Sequence, residues 1–373
     1  MENIDLTGIV PNNKYDESFE LSNLPELNLR LEQIMKTSED FVVPTAGMMT
    51  PDGKRIGFNH PETHAWVEYD MSPNFKNQMA DKLKIPSRYW DRMEQANYYP
   101  LLKDNINTWL MDKGIATEEG KEARYNMVRT VAGEARGLLS NRYAVMDSYD
   151  LALETMKTVM EINSTRPRDE RIMFVKADLT EESMYVKALD YGKPHEIKGE
   201  IHHAGMVIKN NEYGKGTLSV ALMMWRQVCA NGMIREASLK EFHIGKPLKA
   251  GVYTQKTRSL LGRAWLSEVH DEIIGSMSNN IGIDEWVKEL NDAAKTDIDP
   301  AKAIKKMTNE HIFSELEANS IIAAMMADQT AAPNTVYHLA NGITAMAKET
   351  NTERRIELET FAGNTPQMIA MVA

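Results

Sequence analysis

Apolar residues recur at helical spacing toward both ends of the chain and at strand spacing in its middle. In "ELNLRLEQIM", Leu27, Leu31 and Ile34 fall on one face of a predicted helix. "EDFVVPTAGMMTPDGKRIGFN" then alternates short apolar runs around Pro51-Asp52-Gly53, a turn signal between two strands. "PNFKNQMADKLKIPSRYWDRMEQAN" reads as two helices broken at Pro86, with Met79 and Leu83 on one face, because proline inside a helix forfeits a hydrogen bond. This helix-turn-helix outline is met in DNA-binding proteins and, more commonly, in ordinary helical packing. "YPLLKDNINTWLMDKG" predicts a further helix ended by Gly114.

From residue 124 the period shortens. Tyr125, Met127 and Val128 begin a strand, Gly133 marks a turn, and Asp147 or Ser148 caps a following helix. "RIMFVKADLT" and "ESMYVKALDYG" are strong strand candidates, rich in Val, Ile, Tyr and Phe. "HHAGMVIKNNEYGKGTLSV" reads as a hairpin, with Met206 and Ile208 on one face and "NNEYGKG" as its loop. "ALMMWRQVCANG" fits a helix with Leu222, Trp225 and Cys229 on one apolar stripe and Asn231-Gly232 as its stop. On that reading Arg226 is the side chain left free to reach a ligand. Beyond residue 255 the pattern is helical almost throughout, with Asp299-Pro300 a helix start. The expected fold class is α+β: a central antiparallel sheet with hairpins and packed helices, and a largely helical C-terminal region. The expected regions are 1–120, 121–264 and 265–373.

Composition narrows the function. The 373 residues are 42% apolar and 26% charged, as in globular proteins. No run of about 20 apolar residues predicts a membrane span, and "MENIDLTGIVPNNKYDESFE" lacks the basic start and apolar core of a signal peptide. A single cysteine permits no internal disulfide. These features lead us to expect a bacterial cytoplasmic setting. The net charge of −11 argues against nucleic acid, but it is unevenly spread. Residues 1–80 carry −7, residues 265–373 carry −9, and residues 81–264 carry +5.

Catalytic and metal signals are sparse. Cys229, beside Trp225, reads as a small core hydrophobe because no cationic cluster or helix N-terminus activates it. His202 and His203 would point to opposite faces of a strand, and His60 and His64 align only on a helix, so neither pair makes a metal site. No phosphate loop, dinucleotide fingerprint or serine elbow occurs. The chain therefore reads as non-enzymatic, with no cofactor, although an unrecognised active site stays open. Cations interleaved with aromatics are the more informative pattern. Arg124, Arg129, Arg136 and Arg142 flank Tyr125 and Tyr143; Lys240, Lys246, Lys249, Lys256, Arg258 and Arg263 accompany Phe242 and Tyr253. Such segments can neutralise phosphates while aromatic faces stack on bases. With Arg226, these cations and Tyr143 are the candidate nucleic-acid contacts.

"LLSNRYAVMDSYDLA", "GMVIKNNEYGKGTLSV", "WRQVCANGM" and His243-Ile244-Gly245 together resemble a phage and plasmid-like protein family known only as a domain of unknown function. "LKIPSRYWDRM" and "LLKDNINTWL" fit the same family's N-terminal half, so the likeness spans roughly residues 75–275. Asn210-Asn211 stands where that family has Asn-Ser, and Ala144-Val145 where a basic residue or proline is usual. The resemblance implies a mobile-element origin and supplies no mechanism. A looser likeness in plan is to phage single-strand annealing proteins of the RecT and Redβ kind, an analogy of architecture. The resulting expectation is a homo-oligomeric protein that binds single-stranded DNA in phage recombination or replication. The competing expectation is a virion or host-interaction protein with no nucleic-acid ligand.

Overall fold

In the computed structural model, which describes residues 24–114, 124–227, 231–241, 243, 263–330 and 332–372, two six-stranded sheets carry the helices. The first sheet runs β1 (Ser38–Pro44), β5 (Tyr125–Val131), β6 (Glu134–Ser140), β4 (Trp66–Met71), β3 (Arg55–Asn59) and β2 (Met48–Met49). Only β4 and β6 pair in parallel, over two residues. An expected boundary at residue 120 would cut this sheet, because β5 and β6 lie between β1 and β4. Helices α2 (Pro73–Leu83), α3 (Ser87–Gln95) and α4 (Tyr99–Gly114) cover it, burying Phe75, Met79, Leu83, Trp90, Leu102 and Ile106 against Ile56, Phe58 and Val128. Ser72 caps α2 by accepting from Phe75 N–H at 3.1 Å, and Pro86 sits at the N-cap of α3, where its missing N–H does no harm.

The second sheet is antiparallel: β7 (Ile172–Leu179), β8 (Ser183–Ile197), β9 (Glu200–Asn211) and β10 (Leu218–Arg226), with β11 (Asn231–Ile234) and β12 (Leu239–Glu241) both pairing with β10. Alternation divides its side chains. Met184, Val186, Met206, Ile208, Val220, Leu222 and Met224 face α1 (Leu24–Thr37), α5 (Ser148–Asn163) and α6 (Arg263–Asn279). Leu189, Val207, Ala221 and Met223 face the opposite way, where Ile356 of α11 (Thr352–Gly363) packs. Helices α7 (Ile283–Ala293), α8 (Pro300–Asn309), α9 (Glu315–Ala327), α10 (Val336–Ala347) and α12 (Thr365–Val372) complete the C-terminal region. Among the described residues no helix is long and apolar enough to cross a membrane.

One predicted element changes type. Residues Leu218–Arg226 form a strand, not a helix, and Asn231-Gly232 begin the returning strand opposite Arg226 and Trp225 instead of stopping a helix. Leu222 points into the main core, while Trp225, on the other face, is only partly buried. "VALMMW" is a continuous apolar run because both faces of β10 are covered, and such a run erases the two-residue period. Cys229 lies outside the described residues.

Candidate nucleic-acid interface

Three separated sequence motifs meet between the sheets. Tyr143 donates its hydroxyl to Asn211 O at 2.9 Å, and its ring stacks on His243 at 5.0 Å. Asn210 Nδ2 donates to Met146 O at 2.9 Å, and Ala144 N–H donates to His243 O at 3.1 Å. At the centre lies Arg129, 1% exposed. Its guanidinium meets Asp40 at 3.2 Å, Glu212 at 2.8 Å and Asp147. Ser148 N–H also donates to Glu212 at 2.6 Å. Burial raises the Glu212 pKa, and Arg129 opposes that rise. Burial disfavours the Arg129 charge as well, yet the surrounding carboxylates hold it protonated. These residues join β1, β5, β9 and the start of α5. Arg129 and Tyr143 thus hold the two sheets together and present nothing to a strand of nucleic acid.

Arg226 is likewise buried, which corrects its reading as a free handle. It is 2% exposed, holds Glu200 through Nε and Nη2 at 2.7 and 2.8 Å, and meets Asp328 at 2.7 Å. Tyr337 donates to the same Glu200 at 2.8 Å and contacts His202 Nε2 at 2.9 Å. His202, confined there, has its pKa lowered to about 4 by burial. Further cations of the central segment meet acids of the C-terminal region: Lys187 with Glu359 at 2.5 Å and Arg235 with Glu289 at 3.0 Å. The basic middle and acidic C-terminus are therefore partly two halves of the same ion pairs.

Two cations with no such partner among the described residues lie elsewhere. Beside α2 and α4, where β5 begins and β6 ends, a cavity of about 420 Å³ opens. Its floor is apolar, with Met79, Leu83, Leu110 and Leu138; its rim carries Lys82, Arg124, Tyr125, Asn126, Ser140 and Asn141. No carboxylate belongs to its described lining, and neither Lys82 nor Arg124 makes an ion pair among the described residues. Lys82 as a whole is exposed, and its ammonium donates to buried Asn126 Oδ1 at 2.9 Å. Asn126 in turn donates to Thr45 at 2.7 Å. Partial desolvation of that ammonium lowers its pKa. Arg142, just past the end of β6, is exposed in the turn that Tyr143 N–H closes on Ser140 O at 3.0 Å.

The remaining candidates do not join this rim. Arg136 is half-buried and pairs with Glu134 at 3.0 Å. Lys240 is exposed on the second sheet. Lys246, Lys249, Lys256, Arg258 and the side chain of Arg263 lie outside the described residues. Lys82 and Asn126 were missed by sequence reasoning. The available signal was a lysine bordering the apolar stripe of α2, next to buried Leu83. His60 Nδ1 accepts from the Glu62 and Thr63 N–H groups at 3.2 Å, fixing a turn. No family model matches the chain, and no characterised protein or solved structure was found to be similar to it.

Proposed function

We propose that this protein binds single-stranded nucleic acid without chemical turnover, in phage recombination or replication in the host cytoplasm, and holds the strand at the Lys82–Arg124 cavity. The supporting observation is the union there of two cations with no ion pair among the described residues, an acid-free described lining and an apolar floor. Phosphate oxygens would meet Lys82 and Arg124, while one base, freed from its stack, would enter the concavity. A cavity of about 420 Å³ lies within the range of small-ligand pockets and suits one nucleotide. A stacked duplex cannot place a base inside it without unpairing. In a competition assay with a labelled oligothymidine, unlabelled single strand should displace the probe and duplex of equal length should not. Equal competition by duplex, or no probe binding at low salt, would refute this reading.

One observation favours a second reading, a virion or interaction protein indifferent to nucleic acid. Leu316 and Met326 on α9 are 80% and 84% exposed. Size-exclusion chromatography would then show one defined oligomer, unchanged by an added oligonucleotide.

A further inference from the structure

A second cavity of about 420 Å³ lies on the other sheet, between β9, β10, β11 and helix α11. It shares no lining residue with the first. Register brings Lys209, Ser219 and Lys240 into one row across three adjacent strands, because Lys209 opposes Ser219 and Ser219 opposes Lys240. Lys209 is half-buried, lies over the Tyr185 ring at 5.3 Å and has no carboxylate within ion-pair distance among the described residues. Two like charges are thus held on one row, with Glu353 and Glu236 as the acids nearby. Arg235 also lines the cavity, but its guanidinium is already engaged by Glu289 and Gly282 O.

The opposite wall differs in character. Ile234 and Ile356 supply apolar surface, Phe361 an aromatic edge, and Asn364 and Gln367 amides. Paired ammoniums with a hydroxyl at one side, and an apolar wall bearing amides at the other, match a molecule with a dianionic end and a flat, polar-edged body.

We propose that this groove is a binding site for a nucleoside monophosphate, with the phosphate on Lys209 and Lys240 and the base against Phe361 and the amides. The site stands on its own geometry and does not depend on strand binding at the first cavity. Two lysines match the charge of a phosphate monoester, and the volume accommodates one nucleotide.

Calorimetric titration with AMP tests the assignment. The wild-type chain should bind AMP saturably, and K209Q/K240Q should weaken binding at least tenfold. Thr360→Trp, which fills the groove and leaves both lysines in place, should weaken it similarly and provides a second test if the double variant misfolds. K82Q/R124Q should retain AMP binding at the groove; inorganic phosphate should compete and adenosine should not. The proposal is overturned if the wild type binds no AMP, if the folded groove variants bind it normally, if K82Q/R124Q abolishes it, or if adenosine binds as tightly as AMP. AMP binding that persists in a protein unable to hold single strands would refute the proposed function and leave this site intact.

Discussion

Arg129→Met removes the guanidinium that three carboxylates share, Asp40, Asp147 and Glu212. Methionine roughly fills the space of the arginine stem but leaves those acids with no paired cation among the described residues, and Arg129 itself is 1% exposed. Removing one partner of a buried ionic cluster costs about 3–5 kcal/mol at neutral pH. The loss should depend on pH, with a sign the geometry sets. Burial already raises the Glu212 pKa, and Arg129 pulls it down. Without Arg129 the folded-state pKa rises further, so the carboxyl prefers to be protonated in the folded protein. Stability tied to such a group is present below the unfolded value and is lost as pH rises through the folded one. The variant should therefore lie closest to wild type near pH 5 and fall away toward pH 7.5. Urea unfolding followed by tryptophan fluorescence at both pH values measures this. A variant within about 1 kcal/mol of wild type at pH 7.5, or an equal deficit at both pH values, would refute the reasoning.

Other substitutions probe the remaining packing. Arg226→Lys keeps the charge but loses the two-point grip on Glu200, and should cost about 1.5–3 kcal/mol in the same urea assay. His202, whose pKa burial lowers to about 4, stabilises the fold above its unfolded value near 6.5 and progressively less as pH falls toward 4. H202Q should flatten that acid limb, seen as a weaker dependence of the urea midpoint on pH between these values. Gly205→Ala would set its Cβ 2.2 Å from Ala188 O, which β8 cannot yield while paired with β9. It should cost about 1–3 kcal/mol or more by thermal unfolding. Gly133→Ala, with open space around its Cβ but φ near +85°, should cost only about 1 kcal/mol.

Much of the architecture could be read from the chain because local rules and tertiary structure agree. The β5–β6 hairpin turns at Gly133, and Asp147 stands at the start of α5. Disagreement begins where burial is complete. In β10 both faces are covered, so the polar positions that reveal a strand's period are gone, and a helical stripe can be drawn through Leu222 and Trp225. Arg129 sits in β5 among buried neighbours, and nothing in "NMVRTV" separates a buried arginine from an exposed one. Charge summed along the chain misled for a related reason. Lys187 and Arg226 add to the positive middle, but Glu359 and Asp328, more than a hundred residues away, cancel them in space. Arg124 was legible as a cation beside an aromatic. Lys82 acquires its role only when α2 is laid beside the start of β5 and the end of β6.

Fluorescence anisotropy of a labelled oligothymidine, titrated with the wild type and with K82Q/R124Q across a salt series, is the most direct measurement. If Lys82 and Arg124 each neutralise a phosphate, the plot of log affinity against log salt should be shallower for the variant by about 1.4, since each contact to a single strand contributes about 0.7. Weaker binding with that smaller slope would place the backbone on this rim. Equal affinity and slope in both proteins would show that these two cations hold no strand.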